Sequence, residues 1–292
     1  MTIRLQHLLH PVRSGRALHA RALRRGYKWL SDRQDRKIPR SQRVTCWCGG
    51  GLKPLNSFPS YGACHECGCY VNRRPPLPEA LDELYSMQYW KFRQRAMGYP
   101  QIEDRGEMYR VEGRLDYWLS LVQRFGPRTG SIIEIGCAPG VLLAELKKAS
   151  YECLGVEPSA ATAEWLRREL DLDVREGLFP SIDLPTCDLL LAFDVAEHAP
   201  EPLAFWNKVS ALLRPGGVAI IQTAVECCDY DHPFKSRPDF FNDVEHLFLY
   251  TDKSIVKLTN LASLELVALE DAMGTLGQIC VLQKPARGHE DL

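Results

Sequence analysis

No apolar run in the chain reaches the roughly 20 residues that a membrane-spanning helix needs. The N-terminal segment lacks a continuous apolar stretch and an evident small-residue cleavage site, so no secretory leader is expected. There is no internal repeat and no low-complexity tract. Net charge is also scarce, at −1 over 292 residues. What remains is ordinary globular material, 45% hydrophobic and 25% charged. That composition and length suit one large domain with an appendage, and a domain of this size buries a sizeable core.

The small net charge conceals an asymmetry. Residues 1–43 hold twelve Lys/Arg against Asp32 and Asp35, a charge of +10, which leaves −11 on the rest. A basic arm on an acidic body suits contact with nucleic acid or an anionic membrane surface. A solvated tail is the equal alternative, and an Arg-rich transit peptide is a third.

Cysteine is plentiful: eleven in all, five of them between Cys46 and Cys69. With no secretory leader expected, the thiols indicate a reducing compartment, and a cytoplasmic protein is expected. In that setting a local cluster is more often a metal site than a disulfide framework. Cys46-x-Cys48 and Cys64-x-x-Cys67 supply four thiolates in two pairs, with fifteen residues between them. Structural zinc takes four such ligands in a tetrahedron, and a filled Cys₄ set leaves no position for catalysis. Glycines 49–51 and Gly68 permit the tight knuckles. His65 and Cys69 are spare candidates, and a set of free thiols is the alternative.

Five stretches are expected in turn: a basic arm (1–43), a Cys-rich zinc module (44–76), a helical linker or cap (77–128), a main domain (129–286) and a tail (287–292). Leu81, Leu84 and Tyr85, and again Leu115, Trp118 and Leu119, have helical spacing. From Ser131 onward strands and helices alternate. Strands are expected at 131–136, 152–156, 188–195, 218–224, 264–269 and 278–283. Helices are expected at 141–149, 160–170, 202–213 and 251–261, with Thr251 as an N-cap and a stop at Arg214-Pro215-Gly216-Gly217. The fold class is therefore α/β: a doubly wound, mostly parallel sheet with helices on both faces.

In such a sheet ligands bind at the carboxyl ends of the strands. The first strand runs into Gly136-Cys137-Ala138-Pro139-Gly140, where glycines four apart allow a tight turn and a close ligand. The next strand ends at Glu157, 21 positions on, placed to accept hydrogen bonds from a ribose diol. A pyrophosphate-binding fingerprint wants two further glycines, and Ala138 and Val141 occupy those places. An adenosyl ligand without phosphates fits better than a nicotinamide dinucleotide.

These residues resemble the class I S-adenosylmethionine-dependent methyltransferases. Glu134-Ile-Gly-Cys-Ala-Pro-Gly140 is similar to that family's first motif, with Ala138-Pro139 as a departure. Asp188 to His198 resembles the fourth-strand motif, and Leu212 to Val218 the turn into the fifth strand. Glu245-His246-Leu247 with Tyr250-Thr251 resembles a downstream segment of the small-molecule branches. The likeness spans about residues 112–285 and implies a seven-stranded Rossmann-like sheet. It implies that S-adenosyl-L-methionine is held by Glu134, Gly136, Cys137, Gly140 and Glu157, with Leu178 beside the adenine and Asp194 at the strand mouth. It places His246 and His198 at the acceptor pocket, as lining or as a general base, with Glu197 or Tyr250 assisting. Each has a plainer alternative: Glu134 a paired structural acid, Cys137 a small core residue, Asp194 a helix cap.

A zinc ribbon before such a domain is similar to a branch that methylates sugars and related metabolites, in which a segment like 84–90 covers the active site. A small-molecule acceptor is thus expected. A nucleic-acid methyltransferase gripping through the arm and zinc module is the alternative, although Val195-Ala196-Glu197 stands where a base-clamping Asn-Pro-Pro-Tyr would be. A non-catalytic binding protein of the same fold is the third reading.

Overall fold

The computed structural model describes residues 26–85, 93–225, 241–273 and 277–286. Most of the basic arm, Cys227, Cys228, the tail from residue 287 and all but two residues of the expected 84–90 cover lie outside the described residues.

The main sheet has seven strands: β4 (Ser131–Ile135), β5 (Glu152–Glu157), β6 (Val174–Glu176), β7 (Cys187–Phe193), β8 (Leu213–Thr223), β10 (Glu265–Asp271) and β11 (Gln278–Gln283). Their order is β10-β11-β8-β7-β4-β5-β6, all parallel except β11, which runs antiparallel to both of its neighbours. The α/β, mostly parallel architecture expected from the sequence is present. After β4 the chain adds strands first on one side and then, with β7, on the other. The order therefore reverses between β4 and β7, and a crevice opens at the strand tips there.

Successive residues of a strand face opposite sides, and the central strands are apolar on both. Ile132, Leu189, Leu191 and Ile220 pack with Leu115 and Trp118 of α5 (Arg114–Phe125), Leu142 and Leu146 of α6 (Val141–Lys148), and Leu166 of α7 (Ala160–Leu170). Ile133, Ile135, Leu190 and Ala192 pack on the other side with Phe205 and Trp206 of α8 (Pro202–Leu212) and Ile255 and Leu258 of α9 (Asp252–Leu261). Thr251 caps α9, its hydroxyl accepting from Ser254 N at 3.2 Å, as expected.

One local expectation fails. Arg214-Pro215-Gly216-Gly217 does not separate α8 from a strand beginning at Val218. It lies inside β8, whose Leu213 already pairs with Cys187 before a register irregularity. Gly216 takes φ +80°, so the chain kinks within the strand and resumes pairing instead of leaving the sheet.

A second sheet, β1-β2-β3-β9, joins the cysteine segment to the main body. Its strands are β1 (Leu52–Pro54), β2 (Tyr61–Cys64), β3 (Tyr70–Asn72) and β9 (Phe248–Leu249). Among the described residues four further helices precede β4: α1 (residues 26–35), α2 (Pro78–Glu83), α3 (Gln94–Met97) and α4 (Ile102–Val111). Among the described residues no helix is long and apolar enough to cross a membrane.

Candidate active site

The strand tips at the order reversal border a cavity of about 710 Å³. Its wall includes Glu134, Gly136, Cys137, Gly140, Glu157, Leu178, Asp194 and His198, all expected from the sequence. His246 and the two expected assisting residues, Glu197 and Tyr250, are absent from this wall.

The turn after β4 needs its glycines for two reasons. Gly136 and Gly140 have φ +68° and +83°. A Cβ on Gly136 would come 2.7 Å from Val195 Cγ2, and one on Gly140 2.5 Å from Leu166 Cδ2. Backbone thus passes where no side chain fits. Gly136 N and Cys137 N both donate to Val156 O, which ties the turn to β5. Cys137 packs its sulfur where a Cβ on Gly155 would lie, 2.6 Å away.

Two buried carboxylates flank the turn. Glu157 Oε1 accepts from Ser159 N at 3.0 Å. Burial pushes its carboxyl up to about 7, against the pull of the backbone amides of Ser159 and Ala138. Glu134 is 5% exposed, and its Oε2 has no hydrogen-bond partner among the described residues. Burial raises it well above the usual carboxylate range. The alternative of a paired structural acid therefore finds no support.

Asp194 sits beyond β7 with φ +56°, a conformation few side chains adopt. Its Oδ1 accepts from Gln222 Nε2 at 2.7 Å, and Gln222 Oε1 accepts from Trp118 Nε1 at 3.2 Å. It does not cap the following 3₁₀ turn, Ala196–His198, which has no side-chain cap.

His198 Nδ1 lies 2.8 Å from Glu245 O. A hydrogen on Nδ1 donated there leaves Nε2 as an acceptor. The ring centroid of His246 is 5.1 Å from that of His198, and His246 is not part of the cavity wall. Glu197, His198 and His246 bring three ligand-type atoms within 4.8 Å of one another, close enough to share a proton or a cation. Glu197 is buried, accepts from Thr223 Oγ1 at 2.8 Å, and is held up to about 7 by burial and then by nearby Asp194. Tyr250 is fully buried and its hydroxyl donates to Ala196 O at 3.0 Å, so it stands behind the site.

The cysteine segment presents a separate constellation. The sulfurs of Cys46, Cys48, Cys64 and Cys67 all lie within 4.8 Å of one another, and the pairs Cys46–Cys67 and Cys48–Cys64 are 3.5 Å apart. Cys69 stands outside this set and donates to Leu249 O at 3.3 Å, while His65 is exposed. The nine described cysteines are all free thiols. Tyr61 of β2 donates from its hydroxyl to His246 O at 2.7 Å, so this segment braces the histidine loop.

The sequence pattern did not single out Gln94, Arg105, Tyr109 and Phe179, which also line the cavity. They come from helices and a loop whose relation to the glycine turn is tertiary. Nor did it reveal Arg93, buried between Asp35 and Glu245.

Comparison with known proteins gives a consistent result. A family profile described as "Methyltransferase domain" matches residues 110–269, more than half of the chain. The ubiquinone biosynthesis O-methyltransferase of Rhodopseudomonas palustris strain TIE-1 is 28% identical over 98 residues, 32% of this chain and 39% of that protein. Its counterpart in Bradyrhizobium sp. strain ORS 278 is 31% identical over the same shares. The chain thus matches about two fifths of the length of these curated relatives. Among solved structures, a chain of the complex containing the Haloferax volcanii Trm112 methyltransferase activator superposes with a TM-score of 0.51 at 12% identity, over 64% of this chain and 95% of that one. Mitomycin 7-O-methyltransferase MmcR gives a TM-score of 0.50 at 14% identity, over 66% and 57%. At these identities the superpositions speak for the fold alone. By its profile match, its sheet order and its glycine turn, the chain belongs to the class I S-adenosylmethionine-dependent methyltransferases.

Proposed function

We propose that the chain transfers a methyl group from S-adenosyl-L-methionine to a hydroxyl of a small molecule, sugar-related acceptors included. The observation that carries this reading is a single cavity that has the glycine turn and Glu157 on its wall together with His198. The residues fit the cofactor. Backbone passes at Gly136 and Gly140 where a Cβ would collide, and Glu134 Oε2 is a buried acceptor without a partner among the described residues. When bound, the cofactor supplies an activated methyl group on a sulfonium leaving group.

In this reading Glu157 accepts from the ribose diol and Glu134 from the ammonium of the methionine end. Gly136, Cys137 and Gly140 form the floor. Leu178 lies beside the adenine, and Asp194, held by Gln222, marks the strand mouth. In-line transfer requires chiefly alignment of the acceptor and removal of its proton. His198 suits the second task because its Nδ1 contact with Glu245 O leaves Nε2 to accept. His246 and Glu197 support it without lining the cavity. The oxygen acceptor is favoured by the O-methyltransferase names of the relatives.

The four thiolates would hold a structural zinc ion. Sulfurs about 2.3 Å from one zinc stand about 3.8 Å apart in a tetrahedron, and the 3.5 Å pairs here come close to that spacing. No disulfide joins the nine described cysteines, in keeping with a reducing, cytoplasmic setting.

Calorimetric titration with S-adenosylmethionine, followed by transfer of a labelled methyl group to a panel of catechols and sugars, tests the proposal. Saturable binding and a methylated hydroxyl are expected. A protein that binds neither the cofactor nor S-adenosylhomocysteine would remove the reading.

A further inference from the structure

Helix α1 is packed the reverse way to an ordinary surface helix. Lys28, Ser31, Asp32 and Asp35 follow the i, i+3, i+4, i+7 spacing of one helical face. All four line a small polar cavity of about 160 Å³ together with Arg93 and Glu245 of the body. Asp35 accepts from Arg93 on this side, and Ser31 is buried. Trp29 and Leu30 lie away from this stripe and are 59% and 37% exposed. Arg33, one turn on from both, is exposed and stacks its guanidinium over Trp29 at 5.4 Å. A surface helix ordinarily turns its apolar face to the core. Here a polar network anchors the helix and its large apolar side chains are left outside.

The charge is sorted in the same sense. Both acids of residues 1–43, Asp32 and Asp35, belong to the inward stripe. Arg33 is exposed, as are Arg36 and Lys37 in the turn that follows α1. Residues 1–25 add six arginines and no acid. The rest of the chain carries −11, so an anionic surface repels the body and attracts the chain by this end. Cations alone suit a nucleic acid as well. Leu30 decides between the two. Strand binding uses cations and stacking rings, which leaves an exposed leucine without a role. A bilayer interface takes up tryptophan, leucine and the aliphatic stems of arginine and lysine together. A second copy of the chain would bring the same cations face to face across a symmetric contact.

We propose that the outer face of α1, Trp29 and Leu30 with Arg33 and the following Arg36 and Lys37, docks on an anionic membrane surface. The apolar pair enters the headgroup layer, and the cations meet the lipid phosphates. The proposal does not depend on the methyl-transfer reading.

Full-length wild type is sedimented with sucrose-loaded vesicles of phosphatidylcholine alone, and of phosphatidylcholine with about 30% phosphatidylglycerol. Binding to the anionic vesicles, little to the neutral ones, and a decline with added salt are expected. Trp29→Ser combined with Leu30→Ser should lower the partition coefficient about tenfold or more at unchanged melting temperature. Arg33→Glu combined with Arg36→Glu should also lower it at least about tenfold. The chain has six tryptophans, so Trp29 is read by difference: brominated lipid should quench wild type more than Trp29→Phe. Wild type that stays in solution with anionic vesicles overturns the proposal. Full binding by the Trp29→Ser, Leu30→Ser variant, with equal quenching in Trp29→Phe, also overturns it and assigns the attraction to charge alone. Single-stranded RNA that binds wild type and not this variant, where vesicles bind neither, makes the face a nucleic-acid contact instead. A dimer at sedimentation equilibrium that the same variant splits makes it a contact between copies, and the membrane proposal fails.

Discussion

Arg93 and Glu245 stand 152 positions apart and form one interior ion pair, Arg93 Nε donating to the Glu245 carboxylate. Arg93 Nη1 also donates to Asp35 of α1. Glu245 in turn offers its backbone oxygen to His198. Burial raises the Glu245 carboxyl, but the charge of Arg93, helped by His198, outweighs that and holds it below the ordinary range. A lowered acid stabilises the fold above its unfolded pKa and loses that contribution as pH falls through the folded one. Arg93→Met strands a buried carboxylate and should cost about 3–5 kcal/mol at pH 7. Urea unfolding at pH 7 and below measures this, and the deficit should shrink as the stranded acid takes up a proton.

Glu157 predicts the opposite slope. Its carboxyl is raised to about 7, so the folded state binds a proton that the unfolded state has released above about 4.5. Its contribution is complete below 4.5 and lost as pH rises through 7. Wild type without cofactor should lose about 3 kcal/mol from this group between pH 4.5 and pH 8, and Glu157→Gln should flatten that part of the profile. Cofactor affinity should move the other way, since a diol donates to the ionised form. Titrations at pH 6 and 8 should show tighter binding at pH 8, and Glu157→Ala should weaken it at both.

One zinc ion per chain should be found by elemental analysis. Cys48→Ser or Cys64→Ser should lose it and lower the melting temperature. Because Tyr61 holds His246 O and β3 pairs with β9, a strong chelator should also reduce turnover while cofactor affinity changes less. Full metal content in either variant would contradict the assignment.

His198→Ala should reduce turnover by about 10²- to 10⁴-fold if the ring takes the acceptor proton. His246→Ala should also lower turnover much more than cofactor affinity, through His198 and Glu197. The checks are steady-state kinetics with the identified acceptor and calorimetry with the cofactor. Unchanged turnover in both variants would leave these rings as mere packing.

Gly140→Ala combines a left-handed backbone with a 2.5 Å encounter at Leu166. It should destabilise the protein by about 2–4 kcal/mol, read as a lower denaturation midpoint at unchanged slope.

Several parts of this protein were legible because their physics is local. Short apolar runs marked six strands of the main sheet, while the three-residue β6 carries no such run and was missed. Gly136 and Gly140 marked a turn that no side chain fits, and Ala138 with Val141 argued against a pyrophosphate. The paired cysteines fell within reach of one another because tight glycine knuckles bring neighbours in sequence together. Where the reading failed, a tertiary contact had outweighed a local signal. Pro215-Gly216-Gly217 reads as a connection, yet pairing of Leu213 with Cys187 draws it into β8.

The amino-acid order by itself determined six of the seven main-sheet strands, the glycine turn, the acid at the tip of β5 and the four-cysteine cluster. Each depends on residues close in the chain or on periodicity. Only the tertiary structure decided that Arg105 meets the cavity of Glu134, that Arg93 pairs with Glu245, and that His198 reaches the wall while His246 does not. Those relations join elements tens to more than a hundred residues apart. Burial and charge pairing select them after the helices pack, and no spacing in the sequence records them.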